Sequence, residues 1–128
     1  MKYLRFTFIL FALFELLGAI RSFNSTPDSI NARFGGTYMT PESMHFVFLF
    51  GAALLSLAIA SVFGFFTKDR TARIGLCLAF ICYNAFAAYA CFKGLAITET
   101  FRVGLTVHSV LLLLFVITLG ASYSELRA

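Results

Sequence analysis

Glu15 and His108 are the side chains of this sequence that are best suited to proton chemistry. Each lies inside a long apolar stretch, where an ionisable group is costly unless it is paired, protonated or facing water. A carboxyl group and an imidazole in contact can exchange a proton near neutral pH, so one hypothesis is a proton-linked or ligand-binding site. The alternative is that the two side chains hydrogen-bond each other or backbone carbonyls and only fix helix register.

Four further polar residues are candidates for the same pocket: Asn84, Tyr89, His45 and Arg21. Counting about 1.5 Å per helical residue from the predicted outer helix ends places Asn84 somewhat deeper than Glu15 and His108. Tyr89 lies above Asn84, and His45 lies at the outer mouth of the second span. We expect the six side chains to form a polar pocket in the outer leaflet. For Asn84 a structural role is the alternative, because small residues continue its helix face toward Cys91.

The sequence offers little for metal binding or covalent catalysis. A metal site needs three or four converging ligands, and Glu15, Glu42, His45 and His108 show no HxxxH or HExxH spacing. No Gly-rich phosphate loop, nucleophile elbow or Ser/His/Asp arrangement is present. We therefore assign no catalytic residue, no metal and no cofactor.

Four apolar stretches position the candidate residues, at 3–22, 45–66, 74–92 and 103–121. As helices they are about 28–33 Å long, which matches a hydrocarbon core of about 30 Å. The 128 residues are 60% hydrophobic and 12% charged, whereas soluble domains are about a quarter charged. The sequence predicts an all-α, antiparallel four-helix transmembrane bundle, with residues 1–128 forming a single membrane domain.

The basic residues predict an N-in, C-in orientation, because cytoplasmic loops are rich in Lys and Arg. This orientation puts six of the ten basic residues on the cytoplasmic side: Lys2, Arg5, Lys68, Arg70, Arg73 and Arg127. The net charge of +4 is thus explained by topology, and no nucleic-acid partner is expected. A cleaved signal peptide over residues 1–22 is the alternative, although Glu15 interrupts its apolar region and no A-x-A site follows.

The external loop, residues 23–43, contains both prolines of the chain and is rich in turn-forming residues. Thr40, Pro41 and Glu42 predict the start of the second helix, with Thr40 as its N-cap and proline in the first helical position. We expect the loop to lie over the bundle as a lid or to contact a partner.

A stripe of small residues marks the second span: Ala52, Ser56, Ala60 and Gly64. Small residues four positions apart let another helix approach closely. We expect this stripe to pack on the third span within their hairpin. The alternative is a face for a homo-oligomer or another membrane protein.

The chain resembles two groups of small four-helix membrane proteins, the DoxX-like group and the Erg28-like sterol-biosynthesis scaffolds. The shared features are four spans, a polar residue in the first span, a longer first external loop and a short basic turn in the middle. The segment from Arg33 to Gly36 resembles a turn of such families. The resemblance concerns architecture and implies no active site.

These features predict a small polytopic protein of the lipid bilayer. Its expected role is that of a non-enzymatic accessory or scaffold subunit, or of a binder of a lipophilic ligand such as a lipid or quinone-like molecule. The alternative is a proton-coupled transporter or membrane enzyme centred on Glu15 and His108. A bacterial inner membrane is the expected location, with the endoplasmic reticulum as the alternative.

Overall fold

The computed structural model describes residues 2–36 and 39–124 of the chain. Within these ranges the backbone forms five α-helices, a short 3-10 turn and no strand. The helices are α1 (Lys2–Phe23), α2 (Pro27–Phe34), α3 (Met44–Phe66), α4 (Arg70–Gly94) and α5 (Phe101–Ser124), and the 3-10 turn (Pro41–Ser43) precedes α3.

The helices α1, α3, α4 and α5 are long and apolar enough to cross a membrane. Their 22 to 25 residues correspond to about 33–38 Å, slightly more than a hydrocarbon core of about 30 Å. The predicted four-helix bundle is confirmed, and the chain is a small multi-pass membrane protein. Each span is longer than its apolar stretch because polar residues at the ends continue the helix. In α4, for example, Asp69 caps the first turn by accepting hydrogen bonds from the backbone N–H groups of Thr71 and Ala72.

The four spans surround a common interior. α1 packs along α3 and α4 packs along α5, while α1 also contacts α5 and α3 contacts α4. A hydrogen bond of 3.3 Å between the hydroxyl groups of Thr7 and Thr118 joins α1 to α5. The first and fourth spans are therefore neighbours, as the sequence allowed.

The expected contact between the second and third spans is present, but the main packing partner of α3 is α1. Two glycines of α3 allow this close approach. A Cβ atom on Gly64 would lie 2.8 Å from the ring of Phe8, and one on Gly51 would lie 2.9 Å from Cβ of Ser22. The Ser61 hydroxyl also donates to the carbonyl oxygen of Phe8 at 2.7 Å.

The predicted small-residue stripe only partly coincides with this contact. Gly64 is buried and Ala60 is half-buried, but Ala52 and Ser56 are exposed on the surface of α3. The Ser56 hydroxyl donates to the carbonyl oxygen of Ala52 in its own helix. The upper half of the stripe is therefore not a contact within the bundle.

Aromatic rings fill one half of the interior. Phe8 and Phe11 from α1 meet Phe80 from α4 and Phe115 from α5, with ring centroids 4.6–5.8 Å apart. Edge-to-face contacts dominate, the arrangement that aromatic quadrupoles favour. Glu15 lies one helical turn beyond Phe11, so the polar residues begin where this aromatic packing ends.

The helix α2 crosses the end of the bundle that carries the α4–α5 connection, here called the α2 end. Thr26 caps it by a reciprocal pair of hydrogen bonds with Ser29, and Pro27 occupies the first turn. Thr40 and Ser43 form the same capping box around the 3-10 turn that leads into α3, so Thr40 caps this turn, whereas the N-cap position of α3 itself is Ser43. The Thr100 hydroxyl donates to the carbonyl oxygen of Arg33 at 2.9 Å and so joins α2 to the α4–α5 connection.

Candidate functional site

Glu15 and His108 line the same cavity, here called the central cavity. Its volume is about 170 Å³, and all four spans contribute to its walls. The lining residues are Phe14, Glu15 and Gly18 of α1, Phe50 and Leu54 of α3, Tyr83 of α4 and His108 of α5. The sequence predicted that these two ionisable residues share a pocket, and both line this cavity.

Glu15 is almost completely buried, with 1% of its surface exposed. The Tyr83 hydroxyl lies near its carboxyl group, although the two do not form a regular hydrogen bond. The carboxyl oxygen Oε1 is buried and lacks a hydrogen-bond partner among the residues that the structure describes. A buried polar atom without a partner costs about 1–3 kcal/mol. The site therefore has the capacity for one more hydrogen bond.

Asn84 holds the imidazole of His108. Nδ2 of Asn84 donates to the carbonyl oxygen of Phe80 at 2.8 Å, so its Oδ1 is free to accept from Nδ1 of His108 at 3.0 Å. Neutral His108 then carries its hydrogen on Nδ1, which leaves Nε2 as an acceptor. The rings of Phe14 and Tyr83 meet the imidazole edge-on at 6.2 and 5.7 Å between centroids.

Asn84 does not line the central cavity itself and reaches it only through its contact with His108. The other three predicted pocket residues also lie outside the central cavity. Tyr89 is exposed on α4, with the Lys93 ammonium group 6.0 Å from its ring centroid. His45 is exposed at the start of α3, where its Nδ1 lies 2.7 Å from the carbonyl oxygen of Glu42. Arg21 lines a second, larger cavity.

This second cavity, here called the α2 cavity, lies between α2 and the adjoining ends of α1 and α3. Its volume is about 390 Å³. Gly18, Phe50 and Leu54 line both cavities, so they form the partition between them. These three residues therefore lie between the α2 cavity and the central cavity, which Glu15 lines.

The α2 cavity has a basic rim and an apolar floor. Arg21 and Arg33 both line it, together with apolar side chains that include Ile30 and Phe34. Partial burial and, second, the charge of Arg21 lower the pKa of Arg33 from its usual value. Among residues 2–36 and 39–124, neither arginine forms an ion pair or a side-chain hydrogen bond, and no carboxylate lines the cavity.

Tyr83 and Arg33 are the two site residues that the sequence did not predict. Tyr83 carried a signal, since it interrupts a line of small residues that runs through Gly75, Ala79 and Ala87 on the third span. A large residue with a hydroxyl group in such a line indicates that the surroundings of this position differ from those of the small residues. Arg33 carried no comparable signal, because it lies in a segment that was expected to be a loop.

The described residues do not offer a metal site, since no three His, Cys, Asp or Glu side chains within them lie close enough to hold an ion. Comparisons of the chain with models of known protein families, with curated proteins and with solved structures found no match. Function is therefore argued from the two cavities and their residues.

Proposed function

We propose that this chain is a non-enzymatic membrane protein that binds a small lipophilic ligand in the central cavity. The observation that carries the proposal is Oε1 of Glu15, a buried carboxyl oxygen without a partner in the described part of the chain, in a residue that lines the central cavity. Buried polar atoms are normally hydrogen-bonded, so a ligand that supplies the missing bond would remove the cost. A protonated carboxyl group donates a hydrogen bond, and an ionised one accepts a hydrogen bond. The carboxyl group can therefore pair with a ligand atom that is either an acceptor or a donor.

The cavity volumes indicate how such a ligand would lie. Ligand pockets usually have about 300–1,000 Å³, so the 170 Å³ of the central cavity suits only a small polar group. The adjoining α2 cavity, with 390 Å³, falls within that range. A ligand would therefore place most of its volume under α2 and reach past Gly18 and Leu54 toward Glu15.

The walls of the central cavity suit a molecule that is largely apolar. Phe14, Phe50 and Leu54 provide apolar surface, while Tyr83 and His108 provide a hydroxyl group and a ring nitrogen. A few convergent polar groups on an apolar wall are typical of small-molecule sites. A lipid or quinone-like molecule has this combination of chemistry.

The scaffold form of the hypothesis is supported by a different surface. Ala52 and Ser56 are exposed small residues on α3, and such residues allow another transmembrane helix to approach closely. A membrane-protein partner or a second copy of the chain would use this face. Binding a ligand in the interior and a partner at this surface are compatible.

The rival proposal is a proton-coupled transporter or membrane enzyme. It is supported by the shared cavity of Glu15 and His108, with Tyr83 in contact with both. Transporter sites, however, are usually built by interrupted helices. All four spans are continuous across this level, which favours a binding site over a transport pathway.

The expected setting follows from the sequence. With the predicted N-in, C-in orientation, both cavities lie in the outer leaflet, and a bacterial inner membrane is the proposed location. The architectural resemblance to DoxX-like and Erg28-like proteins stays a prediction.

Co-purification from native membranes, followed by mass spectrometry of small molecules and proteins, tests the proposal. A lipid or quinone-like molecule at about one per chain would support ligand binding. A stoichiometric protein without a small molecule would support the scaffold form instead. Recovery of the pure monomer with neither would contradict both forms.

A further inference from the structure

We propose that the α2 cavity binds an anionic phospholipid, with its phosphate group against Arg21 and Arg33 and an acyl chain in the apolar floor. This inference rests on the proposed function, because it names the chemical class of the ligand. It adds a head-group site at the α2 end that is separate from Glu15.

The first argument is the pair of cations at the rim. Arg21 and Arg33 both line the α2 cavity, and no acidic side chain of the described residues neutralises either one there. Their positive charges lie close enough for Arg21 to disfavour the charged form of Arg33. Two neighbouring guanidinium groups without a counter-ion are stabilised by an anion between them.

The second argument is the match between guanidinium and phosphate. The planar fork of arginine binds phosphate oxygens through paired hydrogen bonds, which makes arginine the usual residue for this anion. A dianionic or monoanionic phosphate therefore fits this rim better than a neutral or zwitterionic head group.

The third argument is depth. Arg21 lies in the last turn of α1, and α1 with its 22 residues is about 33 Å long, slightly more than a hydrocarbon core of about 30 Å. With α1 spanning the bilayer, we expect Arg21 to lie near the lipid phosphates, and Arg33 lines the same cavity. Below them the cavity walls are apolar side chains such as Val47 and Phe50, which suit an acyl chain.

The position of α2 makes the site specific to this fold. Arg33 is brought over the end of α1 only because α2 is held there by its cap at Thr26 and by the Thr100 hydrogen bond to the carbonyl oxygen of Arg33. Asn31 reinforces this arrangement through two hydrogen bonds to the backbone of Met39. The rim is thus held by contacts that do not use the guanidinium groups.

The experiment is a lipid titration of the full chain in non-ionic detergent, followed by native mass spectrometry. The probes are phosphatidylglycerol, phosphatidylcholine with the same acyl chains, oleate and inorganic phosphate. We expect phosphatidylglycerol to bind about tenfold or more tightly than phosphatidylcholine. Equal binding of the two phospholipids, binding of oleate as tight as that of phosphatidylglycerol, or its displacement by millimolar phosphate would overturn the proposal.

The variants locate the site. We expect Arg21→Gln with Arg33→Gln to remove the preference for phosphatidylglycerol. Arg102→Gln is the matched control, because Arg102 lies at the same end of the bundle but does not line the α2 cavity and is paired with Glu99 at 2.6 Å. Unchanged preference in the double variant, or an equal loss in the control, would contradict the assignment. The double Arg→Lys variant keeps both charges, so we expect it to fold and to retain part of the preference.

Glu15→Gln separates this inference from the proposed function. If it keeps its affinity for phosphatidylglycerol while the arginine variant loses it, the head-group site is supported, and if it also keeps its co-purified ligand, the role of Glu15 in ligand binding is wrong. If Glu15→Gln loses co-purified ligand while the arginine variant does not, the head-group site is wrong and the role of Glu15 is supported.

Discussion

The imidazole of His108 is oriented by Asn84, whose Oδ1 lies 3.0 Å from Nδ1 of His108. Because the amide nitrogen of Asn84 is already used by the carbonyl oxygen of Phe80, this pair has only one arrangement that satisfies both groups. Asn84 is completely buried, so water does not compete for the bond. Asn84 therefore has the structural role that was considered for it, because its hydrogen bond fixes the orientation of His108. His108 in turn is the residue with the proposed functional role.

This contact predicts the tautomer of His108. In the wild-type chain, ¹⁵N NMR in detergent should report neutral His108 with hydrogen on Nδ1. Asn84→Ala should abolish the preference, because Nδ1 then loses its acceptor. His45 is the internal control, since its Nδ1 bonds the carbonyl oxygen of Glu42 and should not respond. A neutral His108 that carries its hydrogen on Nε2 in the wild type would contradict the geometry.

The Tyr83 hydroxyl is predicted to contribute to ligand binding. Tyr83→Phe removes only the oxygen next to Glu15, and one hydrogen bond is worth about 0.5–1.5 kcal/mol. We therefore expect the affinity for the co-purified ligand to fall about two- to tenfold. Tyr89→Phe is the matched control on the same helix, because Tyr89 is exposed. Equal affinities of the two variants would show that Tyr83 has no such role.

Gly64 is predicted to be essential for the contact between α1 and α3. Gly64→Ala would place a Cβ atom 2.8 Å from the ring of Phe8, which is itself completely buried. Overpacking of this kind costs about 1–3 kcal/mol, so thermal unfolding in detergent should occur at a lower temperature. Gly75→Ala serves as the control, because a Cβ atom there meets nothing within 4 Å. A melting temperature for Gly64→Ala at or above that of Gly75→Ala would contradict this packing.

The four spans could be predicted because the backbone of an apolar stretch in lipid must form its hydrogen bonds within the protein, and a long helix does this in the simplest way. The helix α2 was missed although its start repeats a pattern that was recognised elsewhere. Thr26-Pro27-Asp28-Ser29 has the same chemistry as Thr40-Pro41-Glu42-Ser43, and both form capping boxes. Only the second precedes an apolar run, and the short polar helix at 27–34 was therefore taken for a loop.

The sequence could predict the level of the candidate residues along the helices, but not the side of each helix on which they lie. Depth is set by counting residues, and this placed Glu15 and His108 correctly at one level. Direction depends on rotation by about 100° per residue, so Tyr89 lies about 140° around α4 from Asn84, and His45 lies about 180° around α3 from Leu54. Both therefore lie away from the interior. Which face of each span turns inward is decided by packing, for example by Gly51 and Gly64 against α1.

The central claim is that Glu15 contributes to a ligand site and is not only a register contact between helices. Glu15→Gln preserves the shape of the side chain but cannot ionise and exchanges one carboxyl oxygen for an amide group. The control is Glu99→Gln, an exposed residue with the same chemical change.

The most direct measurement is the amount of co-purified small molecule per chain, together with the melting temperature, for the wild type and both variants. We predict that Glu15→Gln retains about a fifth of the wild-type ligand or less, because a buried polar group left without its hydrogen-bond partner costs about 1–3 kcal/mol. Its melting temperature without ligand should equal that of Glu99→Gln. Wild-type ligand content in Glu15→Gln, combined with a lower melting temperature, would contradict the account and identify Glu15 as a helix-register residue.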